Sequence, residues 1–179
     1  MASTSSAGQR RSLKVVSDAA AEPSDPGRDH ELSCSIAGAL EIIGDRWTIL
    51  ILRDAFRGIR RFDHFHHDLG VARNLLADRL AKLVEHGILE KVPYQERPTR
   101  YEYRLTAKGV DLSPSLVALM RWGDRWVAGE AGPPVVLVHD ACGRTLDQEF
   151  ICWGCDVTVT PGQIRSRHPH GGYPEPDKS

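Results

Sequence analysis

The sequence lacks a long apolar segment and a recognisable secretory leader. It contains no run of eighteen or more apolar residues, whereas a helix that spans a bilayer needs about 20 of them. Arg10 and Arg11 near the N-terminus are not followed by the apolar stretch that a secretory signal requires. These absences predict a protein without a membrane span that lies in the cytoplasm.

Motifs that mark common classes of enzyme are also missing. The chain has no G-x-S-x-G nucleophile elbow, no phosphate-binding P-loop and no G-x-G-x-x-G dinucleotide fingerprint. It has no H-E-x-x-H sequence, which a zinc peptidase would use to hold its metal and its general base. We therefore predict that the protein is not an enzyme.

The charge balance shows no basic surplus. The formal net charge is −1, with 23 Lys and Arg against 24 Asp and Glu, although nucleic-acid-binding proteins usually carry a positive excess. Between residues 71 and 104, seven basic residues exceed five acidic residues by two. Net charge therefore neither indicates nor excludes a nucleic-acid partner.

Apolar periodicity begins near residue 35 and indicates helices. Glycines at 44, 58, 70 and 87 are expected to end four of them, and Asp45 is expected to cap the second. The fourth predicted helix, residues 72–86, has leucines on one side and polar residues on the other. Residues 1–29 and 166–179 show no such period and are predicted to be a disordered arm and a flexible tail.

Two strand-like runs follow the fourth helix, at Ile88–Tyr94 and Tyr101–Leu105, with polar residues 95–99 between them. A long helix is then predicted from the Thr106 cap to about Ala128, where Pro114 kinks or restarts it. Helices followed by a β-hairpin form a winged helix-turn-helix. The predicted fold is mainly α with a small antiparallel β-hairpin, and residues 30–130 are assigned to a DNA-binding and dimerisation domain of this kind.

Four stretches resemble the HxlR-type regulators, relatives of the MarR group. They are CSIAGALEIIGDRWTIL at 34–50, RFD at 61–63, LADRLAKLVEHGI at 76–88 and YEYRLTAKG at 101–109. The resemblance covers about residues 34–127, with the motifs in the family's order. It implies a homodimeric winged-helix repressor or activator that acts on a palindromic operator.

The resemblance also places the 72–86 helix in the major groove of double-stranded DNA. Arg can form two hydrogen bonds with guanine, and Asn can do so with adenine. Ala72 departs from the family, which often has a capping Ser or Thr there, and Asp78 would repel phosphate. The alternative is that these polar side chains are only solvated. The candidate DNA contacts are Arg73, Asn74, Asp78, Arg79 and Lys82 on the helix, and Arg97, Thr99 and Arg100 at the tip of the wing.

Large apolar residues on the first and last helices predict a dimer interface. Trp122 and Trp126 come at the end of the long helix, where little core is left to cover, and Ile36 and Leu40 lie on the first helix. We predict that these four residues form a seam between two chains. The alternative is packing within one chain.

The cysteines are distributed unevenly. Four cysteines in a cytosolic chain argue against a disulfide framework. His139-x-x-Cys142 and Cys152-x-x-Cys155 are pairs separated by nine residues, and such pairs allow four side chains to reach one tetrahedral zinc. We predict a zinc-ribbon-like β module over residues 135–165 with one structural zinc per chain. The alternative is a metal-independent module whose thiols are buried or redox-active.

Cys34 stands apart from the other cysteines, at the predicted start of the first helix. The helix dipole favours a thiolate there, so that Cys34 is a candidate redox sensor. The alternative is a small buried apolar residue.

These observations leave three hypotheses for function. The first is a transcriptional regulator that responds to a small-molecule effector or a redox signal. The second is a metal- or thiol-sensing regulator in which the C-terminal cysteine segment or Cys34 is the input. The third is a zinc-stabilised protein-interaction module without DNA affinity.

Overall fold

In the computed structural model the chain is described from residue 34 to residue 165. The predicted arm, residues 1–29, and the predicted tail, residues 166–179, lie outside the described residues. The chain divides into two compact units, Met1–Glu41 and Ile42–Ser179. Helix α1, Ser35–Ile43, crosses their boundary. None of the described helices is long and apolar enough to cross a membrane.

The second unit contains three helices followed by a β-hairpin. Helices α2 (Arg46–Phe56), α3 (Phe62–Leu69) and α4 (Arg73–Glu85) come first. Strands β1 (Leu89–Glu96) and β2 (Thr99–Leu105) then pair in antiparallel fashion. This order confirms the predicted winged helix-turn-helix architecture.

The core lies where α2, α3, α4 and the start of β1 meet. Helix α4 contributes three leucines spaced four and three residues apart, which places them on one side of the helix. Burying a leucine fully stabilises a fold by roughly 1.5–3 kcal/mol, so this side determines how α4 sits on α2. The buried apolar side chains are those of Ile51, Leu52, Phe65, Val71, Leu76, Leu80, Leu83, Ile88 and Leu89.

A buried carboxylate ties α2 to α3. Asp54 is fully buried, and its Oδ1 accepts hydrogen bonds from Arg53 Nε at 2.8 Å and from Arg57 at 3.3 Å. Both arginines also reach Asp68 Oδ2 in α3, at 3.3 and 3.2 Å. Burial raises the pKa of Asp54, and the hydrogen bond from Arg53 opposes that rise. The two arginines therefore compensate the buried charge of Asp54, and their contacts with Asp68 hold α2 and α3 together.

The hairpin is longer than the sequence predicted. Glu96 pairs with Thr99, so that only Arg97 and Pro98 form the turn. The hydroxyl of Thr99 donates to the carbonyl oxygen of Glu96 at 3.1 Å. The prediction of a five-residue polar loop over 95–99 is therefore wrong, because polar residues pair as readily as apolar ones on a two-stranded hairpin that is open to solvent.

The predicted long helix is two helices. Helix α5 (Ala107–Val110) is followed after a short break by α6 (Ser113–Trp126). Pro114 lies in the first turn of α6, where its missing N–H costs no hydrogen bond. The proline therefore restarts a helix, and α6 ends at Trp126 rather than near Ala128.

The base of the hairpin is locked to the end of α4. Thr106 Oγ1 accepts from the N–H of Gly109 at 3.1 Å and donates to the carbonyl oxygen of Gly87 at 2.7 Å. Lys108 Nζ donates to the carbonyl oxygen of His86 at 2.8 Å, where the negative end of the α4 dipole favours a cation. Together these contacts join α4, β1 and α5.

The C-terminal segment contains a second small antiparallel sheet, β3 (Phe150–Cys152) with β4 (Val157–Val159). Short 3₁₀ turns lie at Gly129–Ala131 and Pro161–Gln163. The predicted strand Val135–Val138 is wrong: only Val138 forms a bridge, with Thr145, because the chain turns back between them.

We predict that Gly109→Ala destabilises the domain by about 1–3 kcal/mol. A Cβ at Gly109 would overlap the carbonyl oxygen of Ile88 and lie 3.0 Å from a methyl carbon of Leu105. The matched control is Gly123→Ala in α6, where a Cβ meets nothing within 4 Å and should stabilise the helix slightly. Urea unfolding checks both variants, and equal stabilities would contradict the proposed close contact.

Candidate nucleic-acid interface

The outer side of α4 is the candidate reading surface. Because its leucines point into the core, Arg73, Asn74 and Asp78 are left exposed to solvent. Ala77 and Ala81 are also exposed on α4. Small side chains between the polar ones would let the helix backbone approach the floor of a groove closely. This surface therefore combines side chains that can bond to bases with room for close approach.

Arg79 is half-buried and forms an ion pair within the domain. Its side chain is about 31% exposed, and its Nε lies 3.0 Å from Asp45 Oδ1. Asp45 caps α2 by accepting from the N–H groups of Trp47 and Thr48, at 3.1 Å each, and from the Thr48 hydroxyl. Burial raises the pKa of Asp45, but the hydrogen bonds from Thr48 and Arg79 outweigh this and lower it overall. Asp45 is thus both the predicted cap and an anchor for α4.

Arg73 lies where the N-terminal ends of α3 and α4 meet. It is 2.9 Å from Asp63 Oδ1, and its guanidinium lies 4.9 Å from the centre of the Phe62 ring. Both partners of the ion pair are well exposed, and such pairs contribute roughly 0–1 kcal/mol. A phosphate or a base can therefore compete with Asp63 for Arg73.

The first turn of α4 receives no side-chain cap. Ala72 is its N-cap residue and makes no side-chain hydrogen bond to the helix, in line with the departure seen in the sequence. The N–H groups at a helix start attract anions such as phosphate. Lys82 lies further along α4 and is half-buried.

The tip of the wing presents Arg97, Thr99 and Arg100, all exposed. The base of the wing is held by the chain just before α3, because the N–H of Tyr103 donates to the carbonyl oxygen of Arg60 at 2.7 Å. This contact fixes the wing relative to the helices.

A carboxylate near the base of the wing is paired with two arginines. Glu102 lies 3.0 Å from Arg104 and 3.4 Å from Arg61. The hydrogen bond from Arg104, with that from Arg61, lowers the pKa of Glu102 despite some desolvation. Arg61 also lies 4.4 Å from the centre of the Tyr94 ring.

The predicted metal ligands form two separate pairs. His139 Nδ1 lies 3.2 Å from Cys142 Sγ, and Cys155 is hydrogen-bonded to Cys152. In residues 34–165, no three His, Cys, Asp or Glu side chains lie together as one metal-binding group. Cys34 is half-buried directly before α1, and its carbonyl oxygen accepts from the N–H of Gly38 at 3.0 Å.

No feature of the sequence predicted the cavity that lies along α6. It has a volume of about 1020 Å³, and its lining includes Arg121, Trp122, Trp126 and Phe150. An ion pair between Arg121 and Asp147 crosses from α6 to the segment that follows. Gln148 Nε2 also donates to the carbonyl oxygen of Pro114 at 3.0 Å. This cavity depends on tertiary packing, which has no local pattern in the sequence.

Comparison with known sequences identifies a family. The profile of the HxlR-like helix-turn-helix family matches residues 42–131. An uncharacterized HTH-type transcriptional regulator of Mycobacterium tuberculosis is 47% identical over 130 residues, which cover 73% of this chain and 82% of that protein. One from Synechocystis is 36% identical over 99 residues, covering 55% of this chain and 73% of the relative.

Solved structures agree with this result. A crystal structure of a candidate transcription factor has a TM-score of 0.69 and 40% identity, and the match covers 75% of this chain and 94% of that one. A candidate transcription factor from Pseudomonas aeruginosa has a TM-score of 0.56 and 41% identity, covering 78% and 95%. Both matches extend over more of the chain than the family profile does.

We predict that Asp45 and Arg79 are energetically coupled. Asp45→Asn keeps a capping side chain but removes the charge, and Arg79→Gln removes the partner. A double-mutant cycle in urea should give a coupling of roughly 0.5–1 kcal/mol at neutral pH. Because the folded-state pKa of Asp45 is lowered, this stabilisation is present above its unfolded pKa and is lost as the pH falls through the folded one. Strictly additive single effects at neutral pH would refute the link.

Proposed function

Because the chain belongs to the HxlR-like helix-turn-helix family, we propose that it is a transcriptional regulator that binds double-stranded DNA in a sequence-specific manner as a homodimer. The observation that carries this proposal is the division of α4 into a buried leucine side and an exposed side with Arg73 and Asn74. A helix held in this way can enter the major groove, where the four base pairs differ in their hydrogen-bonding groups.

The candidate side chains take different roles in this proposal. Arg73 and Asn74, near the start of α4, would contact base edges, and Asp78 would accept from a cytosine amino group. Lys82 and the wing residues Arg97, Thr99 and Arg100 would contact the backbone or the minor groove. Arg79 is assigned a structural role, since its ion pair with Asp45 holds it against α2.

Exposed aromatic residues on α6 support a homodimer. Trp122 and Trp126 are 60% and 70% exposed, and Leu119 is also exposed on the same helix. Their spacing of three and four residues places them on one side of α6, and contiguous exposed apolar patches mark interaction surfaces. A symmetric dimer would present two copies of α4 to a palindromic operator with half-sites about 34 Å apart.

A signal would act through the spacing of the two α4 helices. The cavity along α6 supports a small-molecule effector, because Trp122 and Trp126 line it and also belong to the proposed dimer surface. A ligand that binds one dimer geometry better by a few kcal/mol shifts the population accordingly. Cys34 as a redox input stays a prediction that rests on one half-buried thiol.

The competing function is a protein-interaction module without DNA affinity. The exposed apolar residues of the C-terminal segment, such as Phe150 and Trp153, are the observation that favours it. Titration of the purified protein with genomic duplex at low salt separates the two, since only a DNA-binding protein responds with a steep salt dependence.

We predict that Arg73→Ala and Asn74→Ala each weaken operator binding by roughly 1–3 kcal/mol, about 5- to 150-fold, because each removes a proposed two-bond base contact. Fluorescence anisotropy with an operator fragment and with unrelated duplex measures the effect. The control is Arg144→Ala, which removes the same charge from an exposed position of the C-terminal segment. Unchanged operator affinity in both α4 variants would eliminate α4 as the reading helix.

We also predict that Trp126→Asp converts the dimer to a monomer, because it places a charge in the proposed apolar interface. Trp153→Asp is the matched control, since Trp153 is 96% exposed and lies outside α6. Sedimentation equilibrium of the full chain distinguishes the two states. If the Trp126 variant remains as dimeric as the wild type, the α6 surface is not the interface.

A further inference from the structure

Two turns of the C-terminal segment carry the predicted metal ligands, and the first of them contains His139 and Cys142. The N–H groups of Cys142 and Gly143 both donate to the carbonyl oxygen of His139, at 3.2 and 2.7 Å. Gly143 has a φ of +68°, a conformation that glycine adopts without strain. The bridge between Val138 and Thr145 closes the turn from outside.

The second turn repeats this geometry. The N–H groups of Cys155 and Asp156 both donate to the carbonyl oxygen of Cys152, at 3.3 and 2.8 Å. Asp156 has a φ of +54° and is the one non-glycine residue between 34 and 165 with a positive φ. The pairing of Cys152 with Val157 closes this turn. Two turns, at the same spacing and with the same backbone hydrogen bonds, therefore each present two metal-ligating side chains.

The side chains in the two turns offer sulfur and nitrogen atoms as ligands for a cation. His139 Nδ1 lies 3.2 Å from Cys142 Sγ, so that one small ion could contact both. Cys152 Sγ accepts hydrogen bonds from the N–H groups of Gly154 and Cys155. Cys142 and Cys155 are exposed, which is at odds with the alternative of buried thiols.

The segment that carries these turns has no core of its own. No residue from 133 to 165 is buried, and large apolar side chains such as Val136, Ile151 and Trp153 are exposed. A segment of this length buries too little apolar surface to offset its chain entropy. Small zinc-finger peptides of comparable size are unfolded without their metal and fold when zinc binds.

We propose that His139, Cys142, Cys152 and Cys155 bind one structural Zn²⁺ per chain. A set of three thiolates and one imidazole binds tetrahedral zinc better than it binds cations that prefer oxygen ligands. Zinc binds cysteine as the thiolate and histidine as the neutral imidazole, so that binding would release protons. The two pairs are separate in the structure, so the ion would draw the two turns together. Four protein ligands leave no open position for catalysis.

The test uses the full chain, produced without a metal-binding tag and dialysed against a zinc-containing buffer and then a zinc-free one. Elemental analysis should give about one zinc per chain for the wild type, and Cys152→Ser and Cys155→Ser should each lose most of it. Cys34→Ser is the matched control, because Cys34 is the one cysteine outside the segment, and it should keep its zinc. Substitution with Co²⁺ should give sulfur-to-metal charge-transfer absorption together with the visible bands of a tetrahedral site.

Circular dichroism of each variant shows whether zinc is lost with the helical domain intact. Because the buried core lies between residues 51 and 89, the cysteine variants should keep their helical signal. A wild-type protein without zinc, or a Cys152→Ser variant with full zinc, would overturn the proposal. The zinc content does not depend on DNA binding, so failure here leaves the proposed function untouched.

Discussion

The packing of the leucine side of α4 against α2 is the constraint on which the remaining structure depends. Leu76, Leu80 and Leu83 are fully buried, as are Ile51 and Leu52 of α2. Burial of each such side chain stabilises the fold by roughly 1.5–3 kcal/mol, whereas a partly exposed ion pair contributes about 0–1 kcal/mol. The leucines therefore decide which side of α4 faces solvent, and the pair of Arg79 with Asp45 only adjusts its position. Arg73 and Asn74 are exposed as a consequence of this packing.

The same constraint extends to the wing. Thr106 and Lys108 bond to carbonyl oxygens at the end of α4, and Gly109 permits the backbone there to come close. Tyr103 joins β2 to the chain before α3. The two candidate DNA-contacting elements therefore belong to one packed unit, whereas the cavity and the exposed tryptophans lie along α6.

The sequence predicted the local features and missed the tertiary ones. Glycine positions, the Asp45 cap and the leucine period each reflect local rules, and the first four helices and the antiparallel pairing of the wing strands were confirmed. The split between α5 and α6 was left open, because proline is compatible with either a kink or a new start. The pairs Arg79–Asp45 and Arg73–Asp63 join residues that are 34 and 10 positions apart in the chain, and sequence periodicity does not predict such contacts.

The net charge near zero includes acidic residues that are paired with arginines in the fold. Three of these acidic residues are Asp54, Asp63 and Glu102.

The measurement that tests the central claim most directly is the selection of fragments from the source genome by the purified full-length protein, at low and at moderate salt. If two α4 helices read successive turns of one duplex, the enriched fragments should share an inverted repeat. The centres of its half-sites should be separated by about 10 base pairs, which is one helical turn, or by a multiple of that distance. Binding of these fragments should weaken with salt but keep its sequence preference. Recovery of fragments with no shared sequence, even at low salt, would contradict the account.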